Sequence, residues 1–446
     1  MDAYETPPRS SQSPISTMKK KYIYAFTSAA CNYLPKVRLL VKSLRRFHPE
    51  VRIVLTMADE VGNSELLSTE DWDEILPISA LGIENWRQWA FTHEIVELST
   101  AIKPFALANL LSRDDCKAVI YLDPDMVLFS RLDDLISEFE SHDILLTPHQ
   151  TTPETRLAEI MDNEICSLKH GIYNLGFIGV RSTENGKAFA QWWSDRAYYF
   201  CRDEISNGLF TDQRWIDLVP AFFDRIKILR SPRFNVAPWN ISTRKLSGNI
   251  TDGFSIENIP LGFYHFTGFD SGAHCLVTAK YEKNNPALSH LTNWYKSQIS
   301  SLGNDPLSQQ NWAFGYFEDG TPITRYQRLI YRNRPDLQRK FPSPFLGSSS
   351  DSNSFLGWSQ QIGLNEYPNI SGARKSTDID YSELTMRLTP SIAPPTDEAD
   401  SISKQLASAL SNPLEAKLIA KQAIRVIRRE GFFGFISRLT NKLFRK

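Results

Sequence analysis

Residues 20–59, KKYIYAFTSAACNYLPKVRLLVKSLRRFHPEVRIVLTMAD, change hydrophobic period twice. Tyr22 to Phe26 reads as a strand, Val37, Leu40, Val41 and Leu44 recur at helical spacing, and Arg52 to Met57 reads as a second strand. This is a βαβ unit. A helix over about Ser99 to Ser112, STAIKPFALANLLS, with Ser99 or Thr100 to cap it, then delivers the chain to the strand AVIYL. Strands alternating with helices over the first 150 residues or so predict an α/β fold around an open, mostly parallel sheet. In such sheets ligands bind where the strands reach their carboxyl edge.

Further along, GIYNLGFIGV (171–180) reads as an apolar strand broken by glycines and NGKAFAQWWSDRAYYFCRD as an amphipathic helix. TDQRWIDLVPAFFD reads as a helix from Thr211 that stops at Pro220, and IPLGFYHFTGFDSG (259–272) as a strand running into a glycine-rich loop. The domain organisation expected is a disordered N-terminus over 1–17, one catalytic domain over 18–299, a small helical extension over 300–341, a Ser/Pro-rich linker over 342–405 and a basic amphipathic tail over 406–446. Lysine plus arginine, 50, nearly equals aspartate plus glutamate, 51, so bulk charge gives no argument for nucleic acid and none is expected as a partner. The five cysteines show no CxxC spacing, which points to a reducing compartment rather than a zinc site or a disulfide framework.

AVIYLDPDMVLFS (118–130) carries the chemistry: a buried-strand pattern runs into Asp123 and Asp125, two charges that resist leaving water unless something compensates them. Two carboxylates one residue apart can address one divalent cation, and Mg²⁺ or Mn²⁺ takes oxygen ligands while sharing its shell with phosphate oxygens. A turn with two solvated acids is the plain alternative. A haloacid-dehalogenase-like phosphatase also fits VIYLDPDMV, with Asp123 as nucleophile and Asp125 as acid/base. That fold carries its acid pair on the first strand of its domain, whereas a full βαβ unit and another helix come first here.

With these residues in place, about 21–285 resembles the retaining GT-A glycosyltransferases of family 8, the glycogenin and lipopolysaccharide galactosyltransferase type. The resemblance implies a Rossmann-like GT-A fold with a C-terminal helical extension, and a role for each motif. Tyr33 matches a tyrosine that packs on the nucleobase, with Thr27 beside it. Lys103 matches a basic residue near the donor phosphates, and Asp123 and Asp125 match the DxD that holds the metal. Asn174 in YNLGFIGV and the pair Asp212 and Gln213 in TDQRW match residues at the donor sugar, the set expected to be catalytic. His265 in YHFTG matches the histidine that is the third protein ligand to the metal. The implied activity is transfer of a hexose from a nucleoside diphosphate sugar, UDP-sugar foremost, to a glycan or lipid-linked acceptor, with retention, in cell-surface polysaccharide or lipopolysaccharide synthesis. A non-catalytic scaffold that binds sugar nucleotides or glycans is the alternative. One departure stands out: after HxxG the family commonly continues to Lys-Pro-Trp, which helps bind the diphosphate, whereas this chain reads FDSGAH. The cation that balances the leaving group is thereby unassigned, with Lys103 a partial candidate.

The last segment, from Leu414, places nine Lys or Arg against two Glu among Leu, Ile, Val and Phe at helical spacing. Such a helix can lie in an anionic membrane interface. The expected location is cytoplasmic, with peripheral attachment at the cytoplasmic membrane face through this tail.

Overall fold

A computed structural model describes residues 20–60, 70–282, 285–303 and 306–367. The expected disordered N-terminus, the linker beyond residue 367 and the basic tail lie outside the described residues.

The apolar runs form a seven-stranded sheet. Its strands are β1 (Tyr22–Ala29), β2 (Arg52–Met57), β3 (Glu74–Pro77), β4 (Cys116–Leu122), β6 (Ile144–Pro148), β7 (Tyr173–Arg181) and β10 (Ile226–Ile228), ordered β10-β6-β7-β4-β1-β2-β3. β7 runs antiparallel to both its neighbours and the other pairings are parallel, so the sheet is mostly parallel, as the alternation predicted. Both faces are covered, which is why the strands read as continuous apolar runs. Tyr24, Phe26, Val54, Val119 and Tyr121 pack on one face with Leu107, Leu110, Phe189 and Trp193. Ala25, Ala29, Ile53, Leu55 and Ile120 pack on the other with Val37, Leu40, Val41 and Leu44 of α1 (Leu34–Phe47).

Small strands bring the chemistry-bearing segments to the carboxyl edge. β5 (Met126–Leu128), just after the acid pair, pairs antiparallel with β14 (Phe263–His265), and His265 stands opposite Met126. The hairpin of β8 (Arg202–Glu204) and β9 (Leu209–Thr211) leads into Asp212. A three-stranded sheet of β11 (Leu246–Asn249), β12 (Gly253–Ile256) and β13 (Ile259–Pro260) precedes β14.

Three expectations need correction. The helix read over Ser99–Ser112 is two, α3 (Ile95–Ala101) and α4 (Lys103–Leu111), which follow α2 (Trp86–Phe91). Pro104 lies in the first turn of α4, where its missing N–H costs nothing; inside one long helix it would break a hydrogen bond and clash. The helix expected from Thr211 begins later, as a 3-10 turn over Arg214–Leu218 and a short helix over Val219–Phe222, because Pro220 is again accommodated in a first turn. The stretch 342–367, expected as linker, is folded: helices Phe355–Gln361 and Gly363–Glu366 bury Phe355 and Trp358 against Phe91, Tyr331 and Phe341. Ser354 caps the first of them by accepting from the Gly357 N–H at 3.0 Å, so a serine that looked like linker texture is a helix start. No helix among the described residues is long and apolar enough to cross a membrane.

Candidate functional site

The turn after β4 holds Asp123 and Asp125 in place through backbone bonds. The Asp123 N–H donates to the Gly176 carbonyl at 2.7 Å, and the Asp125 carbonyl accepts from the Phe266 N–H at 2.9 Å. β5 and β14 then set His265 beside the acids, with Nε2 3.0 Å from Asp125 Oδ1 and 3.7 Å from Asp123 Oδ2. One ligand atom from each of Asp123, Asp125 and His265 lies within 4.8 Å of the others. Burial raises the Asp125 carboxyl, but His265 and then Lys36 outweigh it and hold the group below the ordinary carboxylate range.

The imidazole is aimed by a chain of amides. His265 Nδ1 lies 3.2 Å from Asn174 Oδ1, which also accepts from the Gly176 N–H at 3.2 Å. That backbone donor fixes which end of the Asn174 amide is oxygen, so Nδ1 carries the proton. Asn174 Nδ2 faces His149 Nε2 at 3.3 Å and Gln213 Oε1 at 3.4 Å. His149 is buried, and burial pushes its imidazole down to about 3, so it is the neutral acceptor of this pair. Gln213 accepts from the Leu175 N–H at 3.0 Å and donates to the His170 carbonyl at 2.9 Å. Asn174 and Gln213, expected at the donor sugar, are therefore engaged in holding β7 and His265. Gly176 makes the room: a Cβ there would stand 2.4 Å from Met126 Cε and 2.6 Å from His265 Cε1.

Lys103 sits at the start of α4 with its side chain 4 % exposed, its Nζ 3.2 Å from Asp123 Oδ1 and 3.5 Å from Asp212 Oδ2. Burial alone would lower its pKa, yet the two carboxylates hold the ammonium well above its ordinary value. It ties the acid pair to Asp212. Asp212 is raised by its burial and by Asp123, and Lys103, the nearer partner of Asp123, offsets only part of this. Its Oδ1 accepts from Thr211 at 3.2 Å, while Oδ2 is buried with no hydrogen bond. Thr211 adopts φ 45°, uncommon for a β-branched residue, directly before it. Tyr121 OH donates to Asp123 Oδ1 at 2.5 Å. Tyr33 lies in the turn before α1 with the Lys36 ammonium 4.0 Å from its ring centre, and Thr27 is buried on β1 with Oγ1 unpartnered.

Sequence reasoning missed Lys36, Asp59, His149 and Gly176. Lys36 has a signal in hindsight, being the one charged residue in the first turn of α1, beside Tyr33. Nothing local marks the others, since their roles come from contacts made across the sheet edge.

The donor set fits a divalent cation. Both ring nitrogens of His265 face acceptor oxygens, an arrangement satisfied by an imidazolium or, with the Nε2 lone pair free, by a cation between His265 and the carboxylates. Two carboxylate oxygens and one imidazole nitrogen suit Mn²⁺ or Mg²⁺.

No protein-family model matches the chain. It is similar to two Bacillus subtilis (strain 168) proteins. The uncharacterized protein YfnF is 27% identical over 252 residues, 54% of this chain and 82% of that one. The uncharacterized protein YfnD is 29% identical over 187 residues, 41% of this chain and 56% of that one. Among solved structures it is similar to the galactosyltransferase LgtC in complex with donor and acceptor sugar analogs, with TM-score 0.38, 15% identity, and coverage of 64% of this chain and 97% of that one. Mouse xyloside xylosyltransferase 1 gives TM-score 0.33 at 12% identity, covering 56% and 98%. The glycosyltransferase GlyE of Streptococcus pneumoniae TIGR4 gives 0.36 at 17%, covering 67% of each chain. At these scores the functional reading rests on the site itself.

Proposed function

We propose that the protein is a metal-dependent glycosyltransferase of the retaining GT-A, family 8 type, which moves a hexose from a nucleoside diphosphate sugar to a glycan or lipid-linked acceptor. The observation that carries this reading is that His265, 140 residues further along the chain, meets the acid pair Asp123 and Asp125 at the carboxyl edge of the sheet. These three residues would hold Mn²⁺ or Mg²⁺, and the ion, when bound, supplies Lewis-acid stabilisation of the charge that develops on the leaving diphosphate. A UDP-sugar is the preferred donor, and polysaccharide or lipopolysaccharide synthesis at the cytoplasmic face is the setting proposed.

The chain's own residues do the rest. Asn174 Oδ1 accepts a hydrogen bond from His265 Nδ1–H and keeps Nε2 turned to the acid pair. Gln213 holds the start of β7 in register with Asn174, so both act as positioning residues. Lys103 pairs with Asp123 and with Asp212 and so fixes the distance between them. Asp212 Oδ2, which has the Lys103 ammonium 3.5 Å away but no hydrogen bond, would orient a sugar hydroxyl, and orientation alone removes several kcal/mol from a barrier. Tyr33 packs on the base. Retention, which the family resemblance implies, would proceed by attack on the face the diphosphate leaves or through a short-lived intermediate near Asp212 or Gln213.

Asp125→Asn tests the assignment. It should abolish Mn²⁺-dependent hydrolysis and transfer of nucleoside diphosphate sugars, followed by proton NMR of the anomeric product, while the melting temperature stays within a few degrees of the parent. Undiminished turnover overturns the reading. Donor-dependent stabilisation of the parent protein with no turnover of any donor would make it a binding scaffold instead.

A further inference from the structure

Lys36 occupies the first turn of α1 with a side chain only 6 % exposed, and its Nζ lies 2.5 Å from Asp270 Oδ2. A buried ammonium needs a counter-charge, and this one is supplied from an unusual place. Asp270 is 43 % exposed, on the loop between β14 and the helix Ala273–Glu282, five residues after the metal-ligand candidate His265. Gly268 and Gly272, at φ 69° and 74°, bracket that loop in a conformation that favours glycine. A cation fixed in the core is thus neutralised by an acid on a surface loop.

The neighbours of Lys36 belong to both ends of a nucleoside diphosphate. Its ammonium lies 4.0 Å from the centre of the Tyr33 ring, the proposed platform for the base. It also interacts electrostatically with Asp125, the proposed metal ligand: burial would lower the ammonium's pKa, but Tyr33, Asp270 and Asp125 together raise it, so it stays charged. The other lysine of the site is committed, since Lys103 is shared between Asp123 and Asp212. The segment after His265, FDSGAH, carries no cation of its own beyond a histidine, His274, which is buried and pushed down to about 4 by that burial.

Resting on the transferase reading above, we propose that Lys36 is the residue that grips the donor diphosphate, and that Asp270 is an anionic placeholder that cedes Lys36 to a phosphate oxygen when the donor binds. The exchange swaps one anion for another at a buried cation, so the core is never left with an unpaired charge. It also releases Asp270 and its loop at the moment of binding.

The full-length protein, with saturating Mn²⁺, is titrated calorimetrically with UDP, GDP, ADP and CDP, and the tightest of them serves as the probe. Lys36→Met should weaken the probe by about tenfold or more, the usual size of one charge-assisted hydrogen bond, and Lys36→Arg should recover most of the loss. Asp270→Asn should do the reverse: it leaves Lys36 unpaired in the free protein, lowering its melting temperature, and binds the probe several-fold tighter. A salt bridge that served only to hold the loop would lower the melting temperature in both variants without opposite effects on affinity. If Lys36→Met binds the probe as the parent does, or Asp270→Asn binds it no tighter, the proposal is overturned while the transferase reading stands. If the parent binds none of the diphosphates, both fall. Should Lys36→Met not fold, Asp270→Asn decides alone.

Discussion

At the scale of residues, the orientation of the metal-ligand candidate His265 depends on the side chains behind it. His149, Asn174 and His265 form a line in which each polar atom has a partner of the opposite kind, so the imidazole meets the acid pair in one tautomer and one orientation. Gly176 is the position where this arrangement is most vulnerable. Its backbone is ordinary, so alanine brings no conformational strain, but the added Cβ meets Met126 Cε at 2.4 Å, His265 Cε1 at 2.6 Å and Asn174 Oδ1 at 2.8 Å. Met126 can yield, being a flexible side chain end; the ring and the amide can yield only by leaving the line. Gly176→Ala should therefore weaken Mn²⁺ binding by about 10–100-fold, the size of a lost ligand-orienting contact, with a far smaller effect on unfolding by urea. Calorimetric titration with Mn²⁺ beside a denaturation curve checks both halves; unchanged metal affinity would mean that His265 is not a ligand.

At the scale of elements, the break between α3 and α4 sets two functional positions. α4 starts with Lys103 at the acid pair, and α3 starts with a capping box in which Glu94 and Glu97 satisfy each other's backbone N–H groups. Glu97 also pairs with Arg332, from the helix Arg325–Asn333, and both side chains are almost wholly buried. Burial raises the Glu97 carboxyl, but Arg332 beside it prevails and the group ends below its ordinary range. Because the folded value is depressed, the stability contributed is complete above the unfolded value of ~4.3 and is lost as pH falls through the lower folded one. Glu97→Gln should lose about 3–5 kcal/mol near neutrality by stranding Arg332, and its deficit against the parent should shrink as the pH is lowered past 4 or so. Urea denaturation over that range measures it; a deficit independent of pH would deny the ion pair its role. The same elements mark the limits of what the chain reveals by itself. Asp123 and Asp125 were legible because an apolar strand runs straight into them, and His265 because YHFTG matches the motif of the family the chain resembles. Lys36 was not, because a lysine on an amphipathic helix reads as a solvated face until the packing shows it covered. Ser354 and Phe355 were not, because seven residues of helix carry too few turns for a period to emerge from a serine-rich surrounding.

At the scale of the whole molecule, the C-terminal helices and the candidate site are one mechanical body. Asp59, at the end of β2, accepts from the Cys31 N–H at 3.2 Å in the turn that carries Tyr33 and from the Ala313 N–H at 2.9 Å in the extension. Trp312 donates to the Ala58 carbonyl at 2.8 Å. Phe91, fully buried at the end of α2, contacts Phe317, Tyr331, Phe345 and Phe355 with ring centres 5.0 to 5.9 Å away, and Arg328 donates to the Phe91 carbonyl at 3.0 Å. An extension joined through its apolar centre and through the turn beside the site should not melt separately. The full chain is expected to unfold in one calorimetric transition, and Phe91→Ala should lower its stability by about 3–5 kcal/mol without splitting that transition. Coupling through Asp59 adds a sharper consequence. If, as proposed, a nucleoside diphosphate binds with Mn²⁺ at Tyr33 and Asp125, it should stabilise the turn, Asp59 should pass this to Ala313, and amide exchange in the helix Arg325–Asn333 should slow although no ligand touches it. Asp59→Ala should abolish that remote protection while leaving the ligand's own contacts intact. Two separate transitions, or protection confined to the sheet edge in the parent protein, would show the extension to be an independent unit.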